Sequence, residues 1–320
     1  MISQSPAAEP DAAAPDTAAG VTAGVTAGMV TAGMVTVGID LGGTGTRLVA
    51  LDPSGVVRSR ISVPTRHAVA ADAGQLITEL AGQVRDAAGG ARLAGVGIGA
   101  SGPVDPSGII RNDATLPAYS HIPLGRLLGE HLGVPCAVDN DAVAFALGEN
   151  AWGAGQRSPA LLAVTLGTGI GVALLRDGVP YRGSDGIHPE AGHIPVPGPV
   201  APCYCGLPTC WEQLGSRTAL DAVTGQNTDE LAAAAAAGDP ASREVFDRYA
   251  GHVGTGLATL VSVFRPARVV VGGSAARYLT LLRPGIDRAL SRCAPYDWNP
   301  PIAGAALGEL SGAIGAAILG

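Results

Sequence analysis

Apolar and polar positions alternate along the chain in blocks that predict strands and helices in turn. Residues 35–41 form an apolar run that ends in a glycine-rich turn, and residues 47–52 continue as a second strand, which predicts a hairpin. Apolar residues then recur every four positions between residues 76 and 88, which predicts a helix. Asp72 is a suitable N-cap for this helix, and Gly89 is a suitable stop.

The rest of the chain continues this alternation of strand and helix. Further strands are predicted at residues 94–99, 134–138, 160–166, 170–175 and 268–272. Further helices are predicted at residues 124–132, 142–149, 241–264, 275–292 and 305–319. Each half of the chain opens with a strand, a turn rich in Gly and Thr, and a returning strand. The pattern therefore predicts an α/β protein with two related halves.

Length and composition suggest how this α/β protein is divided. A chain of 320 residues is long enough for two domains. Residues 1–33 are mostly small residues and Pro with a short VTAG repeat, so we predict a disordered tail there. We predict a small N-terminal domain at residues 34–147, completed by a C-terminal helix at 304–320, and a large domain at residues 148–303.

The charge pattern excludes several classes of partner and site. The net charge of −7 is a poor match to nucleic acid or an anionic membrane, and the apolar runs are too short to span a bilayer. A signal peptide needs a basic start, but no Lys or Arg precedes Arg47, so we expect a cytoplasmic protein. All 20 of the Lys and Arg positions are Arg, which excludes a lysine-bearing phosphate loop.

The first hairpin turn carries residues suited to a phosphate group. Asp40 ends the strand, and Gly42, Gly43, Thr44 and Thr46 follow it. Glycine lets backbone N–H groups approach an anion closely, and the Thr hydroxyls add donors. An ordinary tight hairpin is the alternative interpretation of one such turn.

A second turn of similar composition, Gly167-Thr168-Gly169, favours the phosphate interpretation. Two such hairpins, one in each domain, can hold a polyphosphate across a cleft. The pair Gly272-Gly273 follows another apolar strand and is suited to the base or ribose of a nucleotide. The set is suited to a nucleotide with a polyphosphate tail, with Asp40 near a bound Mg²⁺.

The run Asp139-Asn140-Asp141 follows the strand predicted at 134–138. Ligands of α/β sheets bind at the carboxyl ends of strands, so these polar residues are placed for chemistry. Asp141 is the candidate general base for the proton of an attacking hydroxyl, which the Asn140 amide would orient. Capping of the following helix is the alternative role for Asp141.

A cluster of thiols is the most specific local signal. Cys203, Cys205 and Cys210 lie within eight residues, and His193 precedes them. A Cys₃His set at this spacing predicts a closed tetrahedral site for a structural Zn²⁺. Disulfides are the alternative, although three clustered thiols leave one unpaired.

Two carboxylates bracket this predicted zinc segment at residues 193–210. Glu190 and Glu212 would be held with His193 at one wall of the cleft, where carboxylates accept hydrogen bonds from vicinal hydroxyls. For either Glu alone, a solvated surface charge is the alternative.

Taken together, these motifs resemble the ROK family (repressors, open reading frames and kinases) of sugar kinases among the actin/hexokinase-like ATPases. The resemblance covers residues 35–320. Its motifs, in order, are DLGGT at 40–44, GIGASGPVD at 97–105, DNDA at 139–142, ALGE at 146–149, LGTGIG at 166–171, EAGH at 190–193 and CYCGLPTCWE at 203–212.

The resemblance implies a two-domain, ribonuclease H-like ATPase fold with an interdomain cleft, and an ATP-dependent sugar kinase that uses Mg²⁺. It implies that Asp141 is the catalytic base and that the chain forms a homodimer or tetramer. The zinc ligands that it implies are His193, Cys203, Cys205 and Cys210. The substrate-binding residues that we carry over are Gly102, Asn140, Glu190, His193 and Glu212.

Two departures from the family pattern bear on the substrate. The family often has Pro-Asn-Leu where this chain has Ala114-Thr115-Leu116, and Asn where it has Val143. Loss of an amide can leave a substrate hydroxyl without a partner. Glucose and fructose are the first candidates, and an amino sugar or a carbasugar cyclitol fits an altered lining. The HPE run at 188–190 resembles the fructokinase branch, whereas the CYCG run at 203–206 resembles the glucokinase branch.

Two other functions are weighed against a kinase that uses ATP. A sugar-responsive ROK transcriptional regulator without catalysis would keep the sugar site, but residues 1–33 show no helix-turn-helix pattern. A polyphosphate donor would favour a basic track, which this acidic chain does not show.

Overall fold

The computed structural model describes residues 33–69, 72–198, 202–225, 227–293 and 298–320. The predicted tail at residues 1–33 lies outside these ranges, apart from residue 33. Two five-stranded sheets and the helices packed on them make up the described part of the chain. No helix in these ranges is both long and apolar enough to cross a membrane.

The first sheet has the strand order β3-β2-β1-β4-β5. Its strands are β1 (Met34–Leu41), β2 (Gly45–Leu51), β3 (Val57–Pro64), β4 (Arg92–Ala100) and β5 (Cys136–Asn140). The first three form an antiparallel meander, whereas β1, β4 and β5 are parallel. The carboxyl ends of the three parallel strands therefore meet at one edge of the sheet.

The second sheet has the order β10-β9-β6-β7-β8. Its strands are β6 (Ala160–Leu166), β7 (Ile170–Arg176), β8 (Val179–Pro180), β9 (Arg268–Gly272) and β10 (Ile302–Gly304). The β6–β7 hairpin is antiparallel, and β9 lies parallel to both β6 and β10. The first sheet lies within the predicted small domain, and the second lies in the predicted large domain except for Gly304, the last residue of β10.

The α-helices of the described residues complete the layers. They are α1 (Ala73–Ala88), α2 (Leu124–Leu132), α3 (Asp141–Trp152), α4 (Trp211–Gly215), α5 (Arg217–Thr224), α6 (Thr228–Ala237), α7 (Pro240–Phe264), α8 (Leu279–Cys293) and α9 (Ser311–Ala316). The helices α1 and α2 share one core cluster with the first sheet. The helices α4 to α8 cover one face of the second sheet.

Alternate residues of β1 face two different layers, as the period of a strand requires. Val37 and Ile39 are fully buried and pack in one cluster with Leu80 of α1. Gly38 lies between them and packs against α9, because a Cβ at this position would overlap the carbonyl oxygen of Ala313. The C-terminal segment therefore docks on the first sheet through positions where a side chain does not fit.

The helix α3 packs against the second sheet on one side and against α9 on the other. Phe145 packs in one cluster with Leu161 and Leu175 of the second sheet. On the opposite side, a Cβ on Gly148 would lie 2.6 Å from the carbonyl oxygen of Ser311, so the two helices approach with almost nothing between them. Movement of α3 would therefore disturb both layers.

Several elements match the predictions residue for residue. The helix at 124–132 and the strands at 160–166 and 268–272 have the predicted bounds. The caps of α1 are also confirmed, since Asp72 accepts a hydrogen bond from the Gly74 N–H at 2.9 Å and Gly89 has φ of 59°.

Other predictions were wrong or incomplete. The helix expected at 305–319 is α9 alone, preceded by β10 and a 3₁₀ turn at Gly308–Leu310. The helix expected from residue 275 begins as a 3₁₀ turn at Ser274–Tyr278. The strands β3, β8 and β10 and the helices α4, α5 and α6 were not predicted.

A buried carboxylate explains why residues 305–310 do not continue the α-helix. Glu149, near the end of α3, is fully buried and accepts hydrogen bonds from the N–H groups of Ala154, Ala306 and Leu307 and from the Ser311 hydroxyl, at 2.8–3.0 Å. If residues 305–310 were α-helical, carbonyl groups of the helix would accept from the N–H groups of Ala306 and Leu307, and Glu149 would lose these donors. The carboxylate thus ties α3 to the start of α9.

We expect Glu149→Ala to lower the free energy of unfolding by about 3–5 kcal/mol, because it leaves buried donors without an acceptor. Urea unfolding followed by circular dichroism measures this change. Glu130→Ala is the matched control, since Glu130 forms an exposed pair with Arg126 that is worth at most about 1 kcal/mol. Equal losses in the two variants would contradict the structural role of Glu149.

Candidate active site

The carboxyl ends of β1 and β5 bring two aspartates to one edge of the first sheet. Asp40 is next to last in β1, and Asp141 follows β5 directly as the first residue of α3. The strand β4 lies between them, with Asp40 opposite Gly99 and Asn140 opposite Ala100. Parallel pairing, and not proximity in sequence, therefore juxtaposes the two carboxyl groups.

The cap of α3 is Asn140 and not Asp141. The Asn140 side-chain oxygen accepts hydrogen bonds from the N–H groups of Ala142 and Val143, at 2.8 and 3.3 Å. Its amide nitrogen donates to the carbonyl oxygen of Gly102 at 3.0 Å. The Asp141 carboxylate accepts a hydrogen bond from the Ala142 N–H at 2.8 Å. Asn140 thus caps the helix, and the Asp141 carboxylate is not needed for capping.

Burial and charge make Asp141 unusual among the carboxyl groups. Desolvation, followed by the charge of Asp40, raises the pKa of Asp141 to about 7. Burial also raises the pKa of Asp40, while Arg47 at 3.5 Å opposes that shift. A carboxyl group that titrates near neutral pH can accept and release a proton during a reaction.

Hydrogen bonds within the protein hold the first glycine-rich turn. The Gly42 N–H donates to the carbonyl oxygen of Gly45 at 3.2 Å. The Thr46 hydroxyl is buried and pairs with the Thr65 hydroxyl at 2.9 Å, which leaves it turned to the protein interior. Thr44 is exposed. Of the two predicted Thr hydroxyls, only that of Thr44 therefore faces solvent.

Gly43 and the neighbouring Thr115 connect this turn to one of the two departures from the family pattern. A Cβ on Gly43 would lie 3.3 Å from the Cβ of Thr115. The Thr115 hydroxyl in turn contacts the Asn112 side chain. The other departure, Val143, is fully buried in the apolar cluster under α3. One departure thus lies beside the candidate phosphate turn, and the other lies in the core.

The second glycine-rich turn is held by the start of α5. The carbonyl oxygen of Gly167 accepts from the Arg217 N–H at 2.7 Å, and that of Thr168 accepts from the Thr218 hydroxyl at 2.8 Å. Its carbonyl groups therefore point to the protein. Gly169 is needed for packing as well, because a Cβ there would overlap the Glu212 carboxylate.

The third glycine pair has a clear packing reason. A Cβ on Gly272 would overlap the ring of Phe145, and one on Gly273 would lie 2.6 Å from the backbone of Leu166. Gly273 also has φ of 81°, which disfavours any other residue. These contacts account for both glycines without a nucleotide.

Glu190, His193 and Glu212, the residues of the predicted wall, lie close enough to interact with one another. Glu212 is buried and accepts from the Ile170 N–H at 3.0 Å, and its carboxylate lies 4.0 Å from His193 Nε2. Burial raises the pKa of Glu190, which His193 partly offsets, and Glu212 adds to the rise. Glu190 also raises the pKa of Asp141, so the wall and the candidate base interact electrostatically.

The Cys₃His set is brought together as predicted. The candidate ligand atoms of His193, Cys203, Cys205 and Cys210 lie within 4.8 Å of one another. His193 Nδ1 is 3.3 Å from the Cys210 sulfur and 3.7 Å from the Cys203 sulfur. Tetrahedral Zn²⁺ with bonds of about 2.0–2.3 Å needs such ligand separations, so the donor set and its spacing fit the metal.

Sequence reasoning missed a group of polar side chains around Asp139. Arg182 donates a hydrogen bond to Asp139, which is itself buried. His188 is buried nearby, its Nδ1 has no hydrogen-bond partner, and its Nε2 lies 3.5 Å from the Glu190 carboxylate. Burial lowers the pKa of His188. The HPE motif marked this segment, but no periodicity indicated its approach to Asp139.

Comparison with known proteins agrees with the resemblance. The ROK family model matches residues 36–320. A glucokinase of Halalkalibacterium halodurans is 32% identical over 77% of this chain and 82% of its own length. An N-acetyl-D-glucosamine kinase of Pectobacterium carotovorum is 30% identical over 88% of this chain and 97% of its own.

A solved structure agrees as well. The ROK family glucokinase of Streptomyces griseus, in complex with glucose and AMPPNP, is 31% identical with a TM-score of 0.75 and covers 89% of this chain and 98% of its own. The two sheets therefore form the actin/hexokinase-like α/β fold that the motifs implied. Because the family model matches residues 36–320 and a solved member has the same fold, the chain belongs to the ROK family.

Proposed function

We propose that this protein is an ATP-dependent kinase that phosphorylates a hydroxyl group of a hexose or a hexose-like ring. The observation that carries the proposal is the carboxyl group of Asp141. It lies at the start of α3, is not used as the helix cap, and has a pKa raised to about 7. The glucokinase and N-acetylglucosamine kinase relatives support the same reaction class.

In the proposed reaction, Asp141 accepts the proton of the substrate hydroxyl. The hydroxyl oxygen forms a bond to the γ-phosphorus of ATP, and the bond from that phosphorus to the bridging oxygen of ADP breaks. The low polarity around Asp141 favours its protonated form after the transfer, which suits a base that must take up a proton.

The two glycine-rich turns are the proposed holders of the phosphates. The chain has no Lys, so charge on the phosphates must be met by Mg²⁺, backbone N–H groups and Arg. Mg²⁺ would neutralise charge on the phosphates, and Asp40 is the residue that we place near it. Gly42, Gly43 and Thr44 would serve one side and Gly167, Thr168 and Gly169 the other. Thr46 is supporting the turn through Thr65.

Glu190, His193 and Glu212 are the proposed sugar contacts. The two carboxylates accept hydrogen bonds from hydroxyl groups, and the His193 ring can donate one. Asn140 has one amide hydrogen left beyond its bond to Gly102, which is available to orient the reacting hydroxyl. A zinc ion on the Cys₃His set would keep His193 at this wall.

The two departures from the family pattern, at Thr115 and Val143, bear on the choice of sugars to test. Val143 is buried in the core, so it does not change the groups that face the sugar. The substitution at Thr115 lies beside Gly43, on the side of the proposed phosphates. We therefore propose glucose and N-acetylglucosamine as the first sugars to test, followed by fructose, mannose and carbasugar cyclitols.

We expect Asp141→Asn to reduce kcat/KM for the best sugar by about 10²–10⁴-fold, because the amide cannot accept the proton. A coupled assay of ADP release across the sugar panel, with calorimetry for sugar binding, makes the measurement. Asp177→Asn is the control, since that carboxylate is exposed and outside the site. Normal turnover in Asp141→Asn would remove Asp141 from its proposed role.

The pKa of Asp141 also predicts a pH profile. Only the ionised carboxylate accepts a proton, so kcat/KM should fall about tenfold per pH unit below pH 7 and level off above it. Asp40→Asn removes the neighbouring negative charge, which lowers the pKa of Asp141 and should move this acidic limb to lower pH. The profile is measured at saturating ATP. An acidic limb that stays in place in Asp40→Asn contradicts the coupling of the two carboxyl groups.

For the zinc site, we expect about one Zn²⁺ per chain in the purified protein and much less in Cys205→Ser, measured by mass spectrometry of the metal content. Cys205 is the exposed thiol of the set, so the replacement disturbs packing least. Cys136→Ser is the control, because Cys136 lies outside the cluster. Equal zinc in both variants would show that the metal is held elsewhere.

A further inference from the structure

Tyr204 contacts the proposed sugar-binding residue His193. Neither its position between two cysteines nor the family motifs indicated a role for it. Its side chain is 81% exposed, yet its hydroxyl lies 3.0 Å from His193 Nε2. The two rings meet edge to face, with centroids 5.1 Å apart and planes at 82°. The ring of Tyr204 thus stands in solvent while its polar end contacts the proposed sugar-binding histidine.

The two nitrogens of His193 face different groups. Nδ1 faces the sulfurs of Cys203 and Cys210, and Nε2 faces the Tyr204 hydroxyl and the Glu212 carboxylate. A ring that gives Nδ1 to a metal carries its hydrogen on Nε2. In that state His193 donates one hydrogen bond, and Tyr204 is the group that accepts it.

The Glu212 carboxylate lies 4.0 Å from the same His193 nitrogen that the Tyr204 hydroxyl contacts. The phenol therefore lies against an imidazole nitrogen that has a carboxylate beside it. A sugar hydroxyl has the same combination of one donor and acceptor lone pairs, and it would use the same two partners.

We propose that Tyr204 is a specificity-determining residue whose hydroxyl occupies the His193–Glu212 position until a substrate hydroxyl displaces it. The proposal rests on the proposed sugar kinase activity. Because the ring is largely exposed, displacement loses little packing, and the main loss is one hydrogen bond. Only a substrate that presents a hydroxyl to this pair recovers that bond, so the contact selects against rings that lack it.

The direct test is Tyr204→Phe, which removes the hydroxyl and keeps the ring. We expect the Kd for glucose or N-acetylglucosamine, whichever the wild type prefers, to fall by about twofold to tenfold, as for the loss of one competing hydrogen bond. Isothermal titration calorimetry measures the Kd, and the coupled assay should show a lower sugar KM with an unchanged ATP KM. The control is Tyr181→Phe, because Tyr181 is also an exposed tyrosine and its ring packs on Phe264 outside the site.

A Kd in Tyr204→Phe that equals the wild-type value would overturn the proposal, and so would weaker binding, which would make the phenol a sugar contact. We expect unchanged zinc content, since the hydroxyl contacts the nitrogen that faces away from the sulfurs. Loss of zinc would assign the hydroxyl to the metal cluster and overturn the proposal as well.

The same experiment separates this proposal from the function on which it rests. A wild-type protein that neither binds nor phosphorylates any sugar of the panel overturns both. Phosphorylation by the wild type together with an unchanged Kd in Tyr204→Phe overturns the role of Tyr204 alone.

Discussion

Hydrogen bonds at the two ends of α3 hold the helix on which the site depends. At its start, the Asn140 side chain satisfies two backbone N–H groups, so the next residue is not needed as a cap. Near its end, the fully buried Glu149 carboxylate accepts four hydrogen bonds from the surrounding loops and the start of α9. A buried polar side chain needs hydrogen-bond partners of this kind. Asp141 owes its fixed position to both groups.

The two acidic residues of α3 illustrate how environment separates roles. Glu149 has donors on several sides and connects structural layers, whereas Asp141 accepts from the Ala142 N–H and has a second carboxyl group, Asp40, close by. The first arrangement satisfies the oxygens of a buried carboxyl group, and the second raises the pKa of Asp141 to about 7, so that it can gain a proton near neutral pH. The same helix thus provides both a structural connection and a candidate base.

Local pattern predicted most regular elements, and pairing decided their ends. The strand expected at 134–138 is β5 at Cys136–Asn140, because Asp139 and Asn140 continue the ladder with β4 in spite of their polarity. The segment expected as a helix at 305–319 is bent by bonds to Glu149, whose position 157 residues earlier no local window includes. The motif placed Thr46 among the candidate phosphate-binding residues, and the comparison with the family pattern marked Val143 as a departure that bears on the substrate. Both side chains are buried in the protein interior.

The sequence alone determined which chemical groups are available: the thiols and the histidine in one short segment, the acidic run after a strand, and the glycine turns without any Lys. Those features are local, and spacing along the chain is enough to recognise them. Tertiary structure decided which groups meet and which are already used. Parallel pairing of the strands places Asp40 beside Asp141, Asn140 caps α3, and the phenol of Tyr204 contacts His193. These choices depend on contacts between distant parts of the chain, whose free energies are settled only when all the layers pack together.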